Sequence, residues 1–402
     1  MKIAVVAPTY LPARRANTIQ VMKMVQALDK LGHEVRLAVP LGGAAIEPHS
    51  WEHLAHIYGL IGDEFPIEWL LVNPNLRSYD FGLKAIRWAK RWGVELLYTR
   101  HPQAAMLGSI LGMATILEIH DIPQGIAGPW LFRCFSQGSG RRRLVAITRA
   151  LADDLCQQFH LSRLDEPGDT FMIVAPDGVD IDRYMDLPAP AEARRALTLN
   201  LAVACCAESN QPLTSDKLSP ETFTVGYTGH LYPGRGSDLL LALAARLPDM
   251  TFLLVGGEPQ AVVELRQQVE TMGLQNVILT GFIPNAELPL YQAACEVLLM
   301  PYQTQVAASS GGDISRYLSP LKLFEYLACG RAILASDLPV LQEVLNFQNA
   351  VLLPPDDQDA WVEALIALCN DVQHRTALGA QARLDAEMYT WEKRASRILE
   401  GL

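Results

Sequence analysis

Positive charge is scarce in this chain. Its 402 residues carry 33 Lys and Arg against 44 Asp and Glu, a formal net charge of −11. Nucleic-acid binding rests on a basic face that neutralises phosphates, so that balance argues against a nucleic-acid partner. Half the residues are hydrophobic, yet no stretch reaches the ~18 uninterrupted apolar residues of a membrane-spanning helix. The seven cysteines, Cys134, Cys156, Cys205, Cys206, Cys295, Cys329 and Cys369, form no Cys-x-x-Cys pair and lie mostly in apolar runs. They read as reduced thiols serving as small core residues, which points to a cytoplasmic address. Metal-ligand spacings are missing too: there is no His-Glu-x-x-His and no poised Asp-x-Asp, and Asp153 and Asp154 are helical neighbours that diverge. No metal is expected. Neither Gly-x-x-x-x-Gly-Lys-Ser/Thr nor Gly-x-Ser-x-Gly occurs, and no Gly-x-Gly-x-x-Gly follows the first strand of either half. Those absences argue against a P-loop nucleotidase, an α/β hydrolase and an NAD-dependent enzyme.

What is present is a rhythm that runs twice through the chain. In the first half, apolar runs at 3–7, 35–39, 96–99, 116–119 and 144–147 alternate with amphipathic segments, the pattern of β-α-β units on a parallel sheet. The opening Met1-Lys2-Ile3-Ala4-Val5-Val6-Ala7-Pro8 passes directly into a helix pattern and reads as a first strand rather than a leader. Asn17 and Gln20 have the spacing of a capping box for that helix, and Val21, Met24, Val25, Leu28 and Leu31 recur on one face until Gly32. The second half repeats the scheme at 223–228, 251–255, 277–280, 297–300, 332–335 and 350–353. The expected architecture is α/β, two facing Rossmann-like doubly wound parallel sheets: a first domain over 1–186, a linker over 187–220 with a short helix near 197–206, and a second domain over 221–384. Ligands of open α/β sheets bind beyond the carboxyl ends of the strands.

The stretch 319–330, Ser-Pro-Leu-Lys-Leu-Phe-Glu-Tyr-Leu-Ala-Cys-Gly, predicts a helix with Ser319 as N-cap, Pro320 at its first position and Gly330 just past its end. Free N–H groups at Leu321 and Lys322, the helix dipole and the Lys322 ammonium suit a phosphate, and Glu325 one turn on suits a ribose diol. The same two side chains could equally be a solvent ion pair. Gly229-His230-Leu231-Tyr232-Pro233-Gly234-Arg235-Gly236 supplies a second glycine-rich turn before a helix, with Arg235 placed to fork onto a diphosphate. Gly256-Gly257-Glu258-Pro259 and Gly281-Phe282-Ile283-Pro284 end neighbouring strands, and the Phe282-Ile283 backbone could hold a base. In the first half Glu118-Ile119-His120-Asp121 closes a strand where His120 could meet a sugar hydroxyl or a phosphate. Tyr98-Thr99-Arg100-His101 and Arg14-Arg15 lie at the same edge. Trp130 to Arg133 followed by Arg141, Arg142 and Arg143 reads either as a solvated loop or as a patch able to rest on an anionic membrane.

These residues together resemble the retaining glycosyltransferases with the GT-B fold, the group 1, family 4-like enzymes. The likeness is carried by Val6-Ala7-Pro8, Leu31-Gly32-His33-Glu34-Val35, Glu118-Ile119-His120, Ala175-Pro176-Asp177-Gly178-Val179-Asp180, Tyr227-Thr228-Gly229-His230-Leu231-Tyr232, the 319–330 helix and Tyr389-Thr390-Trp391-Glu392. The resemblance implies a last helix, within 385–402, that crosses back to the first domain. It implies that Glu325 is the ribose-binding carboxylate, that Arg235 takes the place of a phosphate-binding Lys and His230 that of an Arg, and that His120 is the histidine near the transferred sugar. His120, Arg235 and Lys322 would then act in catalysis, with Gly229, His230, Phe282, Ile283, Asp313, Ser319, Leu321 and Glu325 in the donor site. The family's first motif Glu is Tyr317 here, and Asp313 in the loop Ser309-Ser310-Gly311-Gly312-Asp313 could replace it. The implied activity is metal-independent transfer of a hexose, with retention, from a UDP- or GDP-linked sugar to a saccharide or lipid-linked acceptor. A nucleotide-sugar 2-epimerase and a catalytically silent sugar-nucleotide-binding protein are the alternatives.

Overall fold

The computed structural model of the chain describes residues 1–41, 49–73, 79–161, 171–204, 218–307 and 312–402. They divide into two compact units, Met1–Asp177 together with Trp391–Leu402, and Gly178–Thr390. Cys205, Cys206, Ser309, Ser310 and Gly311 lie outside the described residues.

The first unit holds seven strands, β1 (Lys2–Val6), β2 (Glu34–Leu41), β3 (Ile67–Leu71), β4 (Leu96–Thr99), β5 (Ala114–Ile119), β6 (Arg142–Ala146) and β7 (Met172–Val174). They lie in the order β3-β2-β1-β4-β5-β6-β7, every neighbouring pair parallel. The second unit holds β8 (Thr224–Thr228), β9 (Thr251–Val255), β10 (Val277–Gly281), β11 (Val297–Met300), β12 (Ala332–Ser336) and β13 (Val351–Leu353), in the order β10-β9-β8-β11-β12-β13, again all parallel. Both sheets reverse their winding beside their first strand, which is where an open α/β sheet leaves a crevice for a ligand.

Buried strands alternate their side chains between two helical layers. In the second unit Leu253, Val255, Leu298, Met300, Ile333 and Ala335 enter one core, whereas Phe252, Leu254, Val297, Leu299, Ala332 and Leu334 enter the other. Strands β3 and β7, absent from the sequence expectation, are the two outer strands of the first sheet. The residues of β3 are only partly buried or exposed, so they lack the continuous apolar run that marks the central strands.

Two helix starts differ from expectation. The first helix runs Ala16–Lys30 with Arg15 as its N-cap and no side-chain cap. Gln20 is instead drawn to a buried partner, Glu118, to which its amide donates at 2.5 Å. The helix Leu321–Cys329 has the extended Pro320, not Ser319, at its N-cap, again without a side-chain cap, while Gly330 ends it in the left-handed conformation. Proline is φ-restricted but free in ψ, and here ψ of 130° makes it the last extended residue.

The segment expected as a linker starts a helix, Pro190–Ala204, that is tied into the second unit. Arg194 is buried and bonds Glu296 at 2.9 Å, the Ala294 carbonyl at 2.7 Å and the Pro220 carbonyl at 2.6 Å. The last helix, Trp391–Leu399, belongs to the first unit, burying Trp391, Arg394, Ala395 and Ile398 along one stripe. Lys30 meets Glu392 at 3.1 Å, and Arg143 donates to the Ile398 carbonyl at 2.7 Å. Arg143 is therefore interior, as is Phe132, and the stretch read as a solvated loop or a surface patch is instead a helix, Ala127–Ser136, followed by the start of β6. Ile126 and Trp130 remain exposed. No helix among the described residues is long and apolar enough to cross a membrane.

Candidate functional site

In the second unit, β8 is followed by Gly229, whose φ of +134° and missing Cβ both matter. A Cβ there would stand 3.0 Å from the Lys322 Nζ, so glycine leaves the channel through which the lysine reaches the strand end. Lys322, from the first turn of the Leu321–Cys329 helix, is 7% exposed. Its Nζ lies 3.7 Å from the centre of the Tyr227 ring and 5.3 Å from that of Tyr302, cation–π contacts that partly replace lost hydration. The nitrogen has no hydrogen-bond partner among the described residues. Burial, and then Arg235, push its pKa well below the usual lysine range, with Glu325 opposing.

Arg235 shares the same aromatic wall. Its guanidinium carbon is 5.5 Å from the Tyr302 ring centre and 5.9 Å from that of Tyr232, and Nη1 donates to the Tyr302 hydroxyl at 3.3 Å. Its Nε is buried without a partner among the described residues. Two cations thus converge on Tyr302 with N–H groups to spare, an arrangement that favours an incoming dianion. His230 stacks on Tyr232 at 4.8 Å, and its backbone carbonyl accepts from the Tyr227 hydroxyl at 2.6 Å.

Glu325, one turn beyond Lys322, is held by two amides. Asn285 donates at 3.1 Å and Gln292 at 3.2 Å, one to each carboxylate oxygen. Asn285 is in turn gripped by Arg183, and Gln292 accepts from Tyr184 at 3.0 Å. Each oxygen keeps a further lone pair for a diol. Phe282 and Ile283 follow β10, half-buried, beside the bond from the Gly256 N–H to the Gly281 carbonyl. Asp313 is committed to its own loop: it accepts from the Val306 and Ser315 N–H groups, both at 2.9 Å, and from the Ser315 hydroxyl at 3.1 Å. Those bonds hold its carboxyl below the usual range.

In the first unit, Glu118 at the end of β5 is fully buried, and four donors surround it. His120 Nε2 at 2.6 Å and Gln20 Nε2 at 2.5 Å meet one oxygen. Arg394 Nη2 at 2.9 Å and the Tyr98 hydroxyl meet the other. The guanidinium also spans to the Pro176 carbonyl at 2.8 Å and that of Ala175 at 3.2 Å. Arg394 holds the Glu118 carboxyl far below the usual range against the cost of burial. Burial and the Arg100 charge lower His120 to about 4, against the pull of Glu118. Glu118, His120 and Asp177 are the one set of described side chains whose ligand atoms lie within 4.8 Å of one another. Four donors on Glu118 match the four lone-pair sites of a carboxylate, so it has none left for a cation.

The sequence-derived site residues therefore fall into two groups. Gly229, His230, Arg235, Lys322 and Glu325 gather at the β8 end of the second sheet, with Leu321 in the same helical turn and Ser319 two residues earlier. His120 belongs to the first unit. Tyr227 entered the sequence reading only as part of the motif 227–232, with no role, and Tyr302, Asn285, Gln292 and Arg394 were not singled out from sequence. For Arg394 a signal existed: it falls on the apolar stripe of an amphipathic helix, where a lone cation needs a buried carboxylate.

Residues 18–183 match the family described as Glycosyltransferase Family 4, and residues 222–371 match Glycosyl transferases group 1. Together the two matches take in most of the chain. A phosphatidyl-myo-inositol mannosyltransferase of Mycolicibacterium smegmatis is 24% identical over an alignment covering 99% of this chain and 92% of that protein. A D-inositol 3-phosphate glycosyltransferase of Jonesia denitrificans is 26% identical over 77% of this chain, but the match spans only 66% of that relative's length. Among solved structures, Anabaena Alr3699/HepE in complex with UDP superposes with a TM-score of 0.70 at 19% identity, covering 100% of this chain and 99% of that one. The same protein has also been solved with UDP-glucose.

Proposed function

We propose that this chain, which belongs to the group 1, family 4-like glycosyltransferases and has their GT-B fold, moves a hexose from a nucleoside diphosphate sugar to a saccharide or lipid-linked acceptor with retention and without a metal. One observation carries the donor class: Lys322 and Arg235 hold nitrogens unpartnered among the described residues against a single tyrosine, Tyr302, beside the amide-held carboxylate of Glu325. The two cations grip the diphosphate, with the N–H groups of the Leu321 helix start adding to them. Glu325 accepts from the two ribose hydroxyls, and the Phe282-Ile283 backbone lies against the base. The resemblance assigns His120, in the other unit, to the transferred sugar.

Departure of the diphosphate leaves an oxocarbenium-like centre, and preorganised cations stabilise the leaving charge more than the ground state. The crowded lone pairs of Glu118 support a mechanism without a metal. The UDP and UDP-glucose complexes of the Anabaena neighbour support the donor class, and the inositol-directed relatives support a polyol or lipid-linked acceptor. The free state of Cys134, Cys156, Cys295, Cys329 and Cys369 fits a reducing compartment.

Calorimetric titration with UDP-glucose and GDP-mannose tests the reading. At least one should bind, with affinity unchanged by EDTA, and Glu325→Ala should weaken that binding by ~1–3 kcal/mol. Equal affinity of wild type and variant would remove Glu325 from the ribose site. Appearance of a 2-epimer rather than a retained glycoside would assign the epimerase chemistry instead.

A further inference from the structure

The second unit holds a further charged cavity, of about 550 Å³, at the edge of its sheet opposite Gly229. Glu296, on its wall, directly precedes β11, and Ala332 opens β12. The cavity thus meets the amino ends of the strands, whereas Gly229 follows a carboxyl end. Arg331, Arg375 and Arg383 line it. Arg375 and Arg383 lie on one face of the helix Val372–Ala386, ~12 Å apart along its axis, with Gly379 between them. A Cβ on Gly379 would stand 2.4 Å from the Gly330 carbonyl oxygen, so only glycine lets the Gly330-Arg331 turn close on that face. Three guanidinium groups are gathered as a result.

Among the described residues each of the three caps the C-terminal end of a helix and pairs with no carboxylate. Arg331 donates to the Ala293 carbonyl at 3.2 Å and to that of Pro188 at 2.8 Å, Arg375 to the carbonyls of Leu368 and Cys369, and Arg383 to the Ala328 carbonyl at 2.6 Å. A helix end carries only about half a charge, so capping neutralises each cation in part. Positive charge is left over. Glu296, the one acid among the described residues that line the cavity, does not remove it, because Arg194 already pairs with that carboxylate at 2.9 Å and the Thr224 N–H donates to it at 2.7 Å. Donors are left over as well. The Arg331 Nε is buried with no partner among the described residues, and the Arg383 Nη2 meets the Met185 sulfur at 3.3 Å, a weak acceptor that a stronger one would displace.

We propose that this cavity is a second anion site, separate from the donor site, and that it takes a small organic bisphosphate, one phosphate held by Arg331 and Arg383 and the other by Arg375. A phosphate brings two charges and three oxygens to a pair of guanidinium forks, which suits it better than a single carboxylate. Two turns of helix set Arg375 apart from the other pair, and that spacing asks for two anionic groups on one carbon frame. The site stands whatever the donor proves to be.

Calorimetry on the full chain tests it, with fructose 1,6-bisphosphate and 2,3-bisphosphoglycerate as probes and citrate and inorganic phosphate as comparisons. At least one bisphosphate should bind one to one, roughly tenfold or more tighter than either comparison. Ala380→Glu sets a carboxylate on the cavity wall at an exposed helical position and leaves every arginine cap in place. It should weaken that binding roughly tenfold or more, while Ala380→Gln, of the same size without the charge, should not. Arg331→Gln should also weaken it about tenfold. Lys322→Met, which removes a cation of the donor site, should leave the bisphosphate affinity as it is. Absence of binding by both bisphosphates, or binding that survives Ala380→Glu, overturns the site. Loss of binding in Lys322→Met moves the anion to the donor site and overturns it equally, and equal affinity for citrate overturns the choice of phosphate. Failure of nucleotide sugars to bind bears on the donor reading alone.

Discussion

Lys322 carries the largest chemical tension at the residue scale. It is buried, faces two aromatic rings, has no hydrogen-bond partner among the described residues and lies under the field of Arg235. In the free protein burial and Arg235 hold its pKa well below the usual lysine value, so the free site keeps its proton less firmly than an ordinary lysine does. A diphosphate beside it raises that pKa, so the bound state holds more protons than the free state, and by linkage affinity falls as pH rises through the interval between the two values. UDP titrated across a series of pH values in buffers of different ionisation enthalpy should show net proton uptake in the interval between the free and bound values, and Lys322→Met should abolish it. Heats that do not depend on the buffer would mean that the lysine is already charged before the ligand arrives. Sequence marked Lys322 and Glu325 because cap, helix and glycine signals are local. Tyr227 and Tyr302 escaped because a tyrosine at a strand end reads as core until its ring is seen under a cation.

Among the elements, central strands were legible and edges were not. The strands β4, β9 and β11 match the apolar runs residue for residue, since a strand buried on both faces announces itself by composition alone. Helix starts were harder: Ser319-Pro320 and Asn17 with Gln20 carry the residue types of caps, but a proline's ψ and a glutamine's distant partner are decided by tertiary packing. The middle of β8 shows how far packing can dictate a residue. A Cβ on Gly226 would stand 2.4 Å from the Cys295 Sγ and 3.2 Å from a Leu298 methyl. Gly226→Ala should therefore cost ~1–3 kcal/mol in urea unfolding through overpacking. Adding Cys295→Ala should return part of that loss; strictly additive single and double variants would locate the strain elsewhere.

The whole molecule is organised by a chain that leaves the first unit after Asp177, completes the second and returns at Trp391. Deleting residues 391–402 removes Arg394 from Glu118, and breaking a buried pair costs ~3–5 kcal/mol because the surviving charge is uncompensated. Hydrogen exchange should then quicken in β4 and β5 while β8, β9 and β11 keep their protection. Equal loss of protection in both sheets would show that the return helix supports more than its own unit. The two-unit plan could be read from the repeated strand and helix rhythm. Ownership of the segment 187–204 could not, because Arg194 and its carbonyl partners are set by contacts about a hundred residues apart.

The return of the chain also sets an order of events during synthesis. The first sheet emerges early, yet Glu118 stays without its guanidinium until every residue of the second unit has been translated. The half that begins folding first is thus finished last, waiting for a single turn of helix to neutralise its interior.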